Sequence, residues 1–161
     1  MKSLVVFFSL ENNTKTIAKA ISDELDCELL ELKSKKQYPT SGFKKFLWGG
    51  KSVLFKEKPE ILPLDVDLDK YDNILIGTPI WVGTFAPPIK TFIETNEIEN
   101  KNIAVFVCHG GGGISRCYKD LEKQLPNNKF KGYVEFLEPL KKDTGESISK
   151  VKKWAKSLDL K

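Results

Sequence analysis

The chain has 161 residues, 40% hydrophobic and 30% charged, with a formal net charge of +4. This composition fits one folded domain, residues 1–161, with a sizeable core, and argues against a disordered chain. No apolar run approaches the roughly 20 residues that a membrane span needs, so no membrane association is expected.

The chain opens on Leu4-Val5-Val6-Phe7-Phe8, a short continuous apolar run of the kind found in central parallel strands. It enters this strand without a basic region and cleavage site, so a cytoplasmic location is expected. Ile17, Ala18, Ile21 and Leu25 then recur at helical spacing with charges between them. Cys27 to Leu32 alternates polar and apolar residues, as a strand with one exposed face would. The stretch from about 33 to 70 reads as a helical insert flanked by irregular chain. Phe43, Phe46, Leu47 and Leu54 would line one side of a helix, broken or kinked near Gly49-Gly50.

Asn73 to Gly77 is the next buried strand, and Pro87-Pro88 opens a helix through about Glu94. Ile103 to Val107 is another strand, Ile114 to Leu125 a helix stopped by Pro126, and Tyr133 to Leu137 a fifth strand. Ile148, Val151, Trp154, Ala155 and Leu158 form the apolar stripe of a closing helix. This alternation predicts an α/β fold: a five-stranded parallel sheet in the order 2-1-3-4-5 with helices on both faces.

In such a sheet the strand-to-helix loops gather at the carboxyl edge, where ligands bind. Three loops are candidates. Ser9, Glu11, Asn12, Asn13 and Thr14 crowd polar groups between a strand end and a helix start, where free amides and the helix dipole attract an anion. Helix capping by Asn13 or Thr14 accounts for the same residues. Thr78, Pro79, Ile80, Trp81, Val82 and Gly83 form an apolar loop whose tryptophan suits a flat ring, or else a place in the core. Cys108 and His109 lead into Gly110, Gly111, Gly112 and Gly113, a run that allows close backbone approach to a flat ligand and would otherwise be a flexible linker. Neighbours on a strand point to opposite faces, so Cys108 and His109 make a poor nucleophilic dyad.

Ser9-Leu10-Glu11-Asn12-Asn13-Thr14 resembles the Ser-x-Thr-Gly-Asn-Thr phosphate loop of the flavodoxins, which bind FMN, and the other two loops sit where that family flanks the flavin. The resemblance covers nearly the whole chain. It implies a flavodoxin-like three-layer sandwich and an FMN-binding protein of electron transfer, with a redox partner protein or a small-molecule electron acceptor. The same resemblance admits an NAD(P)H-dependent FMN oxidoreductase of the quinone reductase type, or a binding module that has lost its cofactor. Glu11 stands where the family has threonine and Asn12 where it has glycine. Asparagine tolerates a left-handed backbone, and the Glu11 side chain is expected to turn to solvent while its amide faces the phosphate.

Three cysteines without a Cys-x-x-Cys pair, and a single histidine, argue against both a disulfide framework and a structural metal site. Residues 33 to 58 carry eight lysines and one glutamate, so the charge is concentrated in one basic segment. With its interleaved aromatics this segment has the makings of a nucleic-acid surface. Packing of the aromatics onto the domain beneath solvated lysines is preferred, so no nucleic-acid partner is expected; an intermediate reading has the segment border the flavin pocket and guide an acidic redox partner or an anionic substrate by charge.

Overall fold

The computed structural model describes residues 1–40, 42–54 and 56–160, with 42–46 described as backbone alone. Five strands, β1 (Ser3–Phe7), β2 (Glu28–Glu31), β3 (Asn73–Trp81), β5 (Asn102–His109) and β6 (Lys129–Leu137), form a parallel sheet in the order β2-β1-β3-β5-β6. This is the expected 2-1-3-4-5 order. The added element is β4 (Thr84–Phe85), a two-residue antiparallel strand on the end of β3.

The apolar runs are continuous because the sheet is covered on both sides. Leu4 and Val6 of β1, and Phe8 just after it, face one core, with Ile89 and Phe92 of α3 (Pro87–Thr95) and Cys117 and Leu121 of α4 (Ile114–Gln124). Val5 and Phe7 face the other, with Ile17 and Ile21 of α1 (Asn13–Leu25) and Val151 and Ala155 of α5 (Thr144–Ser157). Period-two alternation thus divides each central strand between two cores.

Two expectations are corrected. The helix α2 (Gly42–Leu54) runs without a break through Gly49-Gly50. Those glycines face the hairpin: a Cβ on Gly49 would lie 3.6 Å from the Trp81 ring, and one on Gly50 3.7 Å from Val82, both at ordinary contact distance. The proposed packing of Phe43 and Phe46 concerns side chains outside those described. The last strand begins at Lys129, four residues earlier than Tyr133. A register shift opposite Ile103/Ala104, with Gly132 at φ 131°, separates its two halves and hides the first from sequence patterning.

The lysine-rich segment connects β2 to β3, which lie on either side of β1. Its ends are pinned by the Ser34–Ile61 bridge and by the backbone bonds between Lys35 and Glu60 and between Leu62 and Lys33. Its lysines are partly neutralised: Lys35 pairs with Glu60 at 2.6 Å, Lys58 with Glu94 at 2.6 Å, and Lys36 with Glu57. Among the described residues no helix is long and apolar enough to cross a membrane.

Gly77 of β3 faces the fully buried Phe106 of β5, and an added Cβ would fall deep inside the van der Waals envelope of that ring. Gly77→Ala is expected to cost about 1–3 kcal/mol by overpacking, read as a lower midpoint in urea unfolding. Phe106→Leu in the same chain should recover part of that loss; a Gly77→Ala chain as stable as the parent would contradict the packing.

Candidate functional site

The ends of β1, β3 and β5 lie side by side at the carboxyl edge and surround a cavity of about 350 Å³. That volume lies within the usual range of small-molecule sites.

The first wall is the turn from β1 into α1. Asn12 sits at φ 64° and makes no side-chain cap, so the turn reverses through a left-handed backbone. The first intrahelical bond is the Thr16 N–H to the Asn12 carbonyl at 2.9 Å, which leaves the amides of Asn13 and Thr14 without an intrahelical acceptor. The Lys15 N–H donates to Ser9 Oγ at 3.2 Å, tying the loop to the helix. Asn13 does not cap its own helix; its Oδ1 accepts the Leu140 N–H at 3.0 Å from the loop after β6. Ser9, Glu11, Asn13 and Thr14 line the cavity, together with Leu10, whereas Asn12 shapes the turn from outside it. Glu11 is exposed.

The second wall is a hairpin rather than an open loop. Val82 at φ 51° and Gly83 at φ 78° form a two-residue turn, and Trp81 pairs with Thr84 across it. Thr78 is buried behind this turn. Its hydroxyl accepts the Ala86 N–H at 3.0 Å and donates to the Pro79 carbonyl at 2.9 Å, so it braces the hairpin instead of lining the cavity. Pro79, Ile80, Trp81 and Val82 do line it. Trp81 is both cavity wall and core element: its ring lies edge-on to Phe8 at 5.7 Å and to Tyr38 at 5.1 Å.

The third wall is the glycine run. Among the described residues a Cβ on Gly110 or Gly111 would meet nothing within 4 Å, so their backbone is bare on that side. Gly113, at φ 101°, passes so close to the hairpin that a Cβ would lie 3.0 Å from Ile80 Cγ2 and 3.1 Å from Gly83 Cα. The Gly112 N–H donates to His109 Nδ1 at 2.7 Å, and His109 Nε2 lies 3.4 Å from Glu135 Oε2. The imidazole therefore fixes the glycine loop. Cys108, His109 and Gly110 line the cavity; Gly83, Gly111, Gly112 and Gly113 do not. Burial pushes the Cys108 thiol up to about 12 against the opposing influence of the Thr14 hydroxyl, which leaves it a protonated thiol at neutral pH and no nucleophile.

Three lining residues come from beyond these loops: Gly49 and Gly50 of α2, and Glu138 after β6. The consecutive glycines were a visible signal, since a helix rarely carries two without a close neighbour. Glu138, at φ 38°, had none; its amide donates to the His109 carbonyl at 3.0 Å and its carboxylate accepts from Lys141 at 2.7 Å.

A family model described as Flavodoxin matches residues 2–156. The chain belongs to the flavodoxin family. No curated protein matches it in sequence. Among solved structures, a flavoprotein from Lactobacillus acidophilus NCFM in complex with FMN is 26% identical, with a TM-score of 0.72 over 89% of this chain and 98% of that one. A provisionally named flavoprotein from Bacteroides uniformis is 29% identical, with a TM-score of 0.80 over 97% and 98%. Oxidised Flavodoxin 2 from Bacillus cereus, at 19% identity and a TM-score of 0.60 over 96% and 95%, shares the fold.

In this flavodoxin the departure at Asn12 has a physical account. Asn12 holds a positive φ, a conformation that glycine reaches freely and asparagine tolerates better than most residues.

The glycine run separates into two kinds of position. Gly113→Ala is expected to destabilise the chain by about 1–3 kcal/mol, because both its φ and its approach to Gly83 resist a side chain. Gly111→Ala should leave thermal stability within about 0.5 kcal/mol of the parent. Equal losses for the two substitutions in paired melting curves would refute this division.

Proposed function

We propose that this flavodoxin binds FMN in the cavity at the carboxyl edge and carries electrons between redox partners. The observation that supports this reading best is convergence. Free helix amides, an aromatic wall and bare glycine backbone surround one space of about 350 Å³. These are the three environments required by a phosphate, an isoalloxazine face and a polar ring edge.

The residues divide the work. The amides of Asn13 and Thr14 and the Ser9 hydroxyl would hold the phosphate at the positive end of α1. Trp81, backed by Phe8 and Tyr38, would pack against the ring, with Ile80 and Val82 excluding water beside it. The amide of Gly110, and that of Gly111 next to it, would serve the polar edge. His109 holds the turn through Gly112, and Cys108 keeps its proton. Bound FMN supplies the reversible electron chemistry; the protein supplies orientation, exclusion of water and field. Glu11 and Glu138, the carboxylates among the lining residues, disfavour added negative charge at the site.

Titration of the purified chain with FMN tests the reading. Quenching of tryptophan fluorescence is expected to saturate at one FMN per chain. Trp81→Ala should weaken binding by about tenfold, from the loss of ring contact. A chain that ignores added FMN would end the proposal. Steady-state oxidation of NADPH, with and without a quinone, separates the carrier from an oxidoreductase, and negligible turnover is expected of the carrier.

A further inference from the structure

The two sides of α2 have different tasks. The inner side carries Gly49 and Ser52, both buried, and brings the helix backbone against Trp81. The outer side carries Leu47, Trp48, Lys51 and Leu54, whose spacing places them on one face. Leu47 is 56% exposed, Trp48 43% and Leu54 72%, and Val82 at the cavity rim beside Gly50 is 47% exposed. A surface helix ordinarily turns its apolar stripe inward. Here large apolar side chains stand outward on one helix face beside the cavity, and exposed apolar groups clustered in this way mark interaction sites.

The surroundings of the patch are cationic. Lys36 and Lys51 place their ammonium groups 5.3 and 5.9 Å from the Trp48 ring centroid. Lys36 also lies 5.6 Å over Tyr38, and Tyr38 lies 5.1 Å from Trp81. An unbroken series of rings and a lysine therefore leads from the surface tryptophan to the cavity wall. A body resting on α2 is separated from the cavity by little more than the helix itself, about 10 Å.

Resting on the reading of the chain as an FMN electron carrier, we propose that the outer face of α2, centred on Trp48, is the docking surface for an acidic redox protein. An apolar centre with a charged surround has the anatomy of a protein interface, and tryptophan is a frequent energetic anchor in one. Residues 33 to 58 carry eight lysines and one glutamate, and although Lys35, Lys36 and Lys58 are paired with glutamates the segment keeps a net positive charge, which selects a negatively charged partner and steers its approach. A nucleic acid uses cations and flat rings but has no use for Leu47 and Leu54, which favours the protein. On docking, one electron passes from the reduced partner to FMN. The partner is oxidised as FMN is reduced, and no covalent bond forms or breaks.

The test uses the full chain loaded with FMN and a reduced acidic iron–sulfur ferredoxin as the probe donor, mixed in stopped flow and followed by loss of flavin absorbance. The second-order rate is expected to fall steeply with added salt. Lys51→Glu and Trp48→Ser should each lower it by about tenfold, with FMN affinity unchanged because neither residue lines the cavity. Rates that are unchanged in both variants, or that rise with salt, would overturn the proposal. So would a holoprotein that dithionite reduces but ferredoxin does not. A single-stranded oligonucleotide that binds the chain in a gel shift and is lost in Trp48→Ser, while electron transfer is unaffected, would assign the surface to nucleic acid instead. Failure to bind FMN at all removes the carrier reading itself, and the preceding titration detects that separately.

Discussion

The approach of two backbones sets the geometry of the site. Gly113 of the glycine loop lies so near Gly83 of the hairpin that no side chain fits between them. This contact joins the second and third walls, and the hydrogen bond from Gly112 to His109 holds the loop in place from the other side. The seating of the glycine loop against the hairpin therefore depends on main chain. Glycine costs conformational entropy, and a run of four is justified here by separate demands. Gly113 meets a contact and a positive φ, Gly112 a positive φ at 99°, and Gly110 and Gly111 leave open space.

A comparable economy operates in α2. The lysine-rich segment must connect β2 to β3 across β1, and a plain crossover would need only a helix packed on the sheet. This one instead sets Gly49 against Trp81 and Gly50 against Val82, so the helix becomes a wall of the cavity. Its C-terminal end is tied down by Lys36, Ser52 and Glu57. The Ser52 hydroxyl donates to Glu57 at 2.7 Å, and Lys36 followed by Ser52 holds the Glu57 carboxyl below its ordinary range. Tyr38 lies near Ser34 and Ser52 without meeting hydrogen-bond geometry, and its buried hydroxyl has no partner among the described residues. Such a group costs about 1–3 kcal/mol. Its retention is understandable if the ring is what matters, since that ring supports Trp81 from behind.

The sheet was legible because its physics is local. Burial on both faces makes β1, β3 and β5 continuous apolar runs, and Gly, Pro and Asn mark where they end. The site was legible for the related reason that strand ends gather at one edge, so the three loops could be set side by side without coordinates. What escaped reading depends on contacts distant in sequence. Gly49-Gly50 looks like a helix break until Trp81 is placed against it. Val82-Gly83 looks like open loop until Thr84 pairs back on Trp81. Thr78 looks like a ligand contact until its hydroxyl is found bracing the Ala86 amide. Glu138 lies in an irregular connection and has no local pattern; it reaches the site only through its bond to the His109 carbonyl.

Charge is distributed around the cavity in a way that has consequences for its use. Glu11 and Glu138 are the carboxylic side chains among its lining residues, and Lys141, bonded to Glu138 and drawn also toward Glu11, offsets part of their influence. An anion seated there must be held by helix amides and hydroxyls against an unfavourable local field, so recognition rests on directed hydrogen bonds more than on net charge. Lys36 and Lys51 lie against Trp48 of α2, and Lys36 also over Tyr38, which packs on Trp81. The edge that would receive a cofactor is thus acidic at its rim and basic on its flank. Such a dipolar arrangement favours one orientation of an approaching charged protein over others before any contact forms. An acidic partner drawn to α2 and repelled from the mouth would be aligned along the ring series that leads inward through Tyr38 to Trp81.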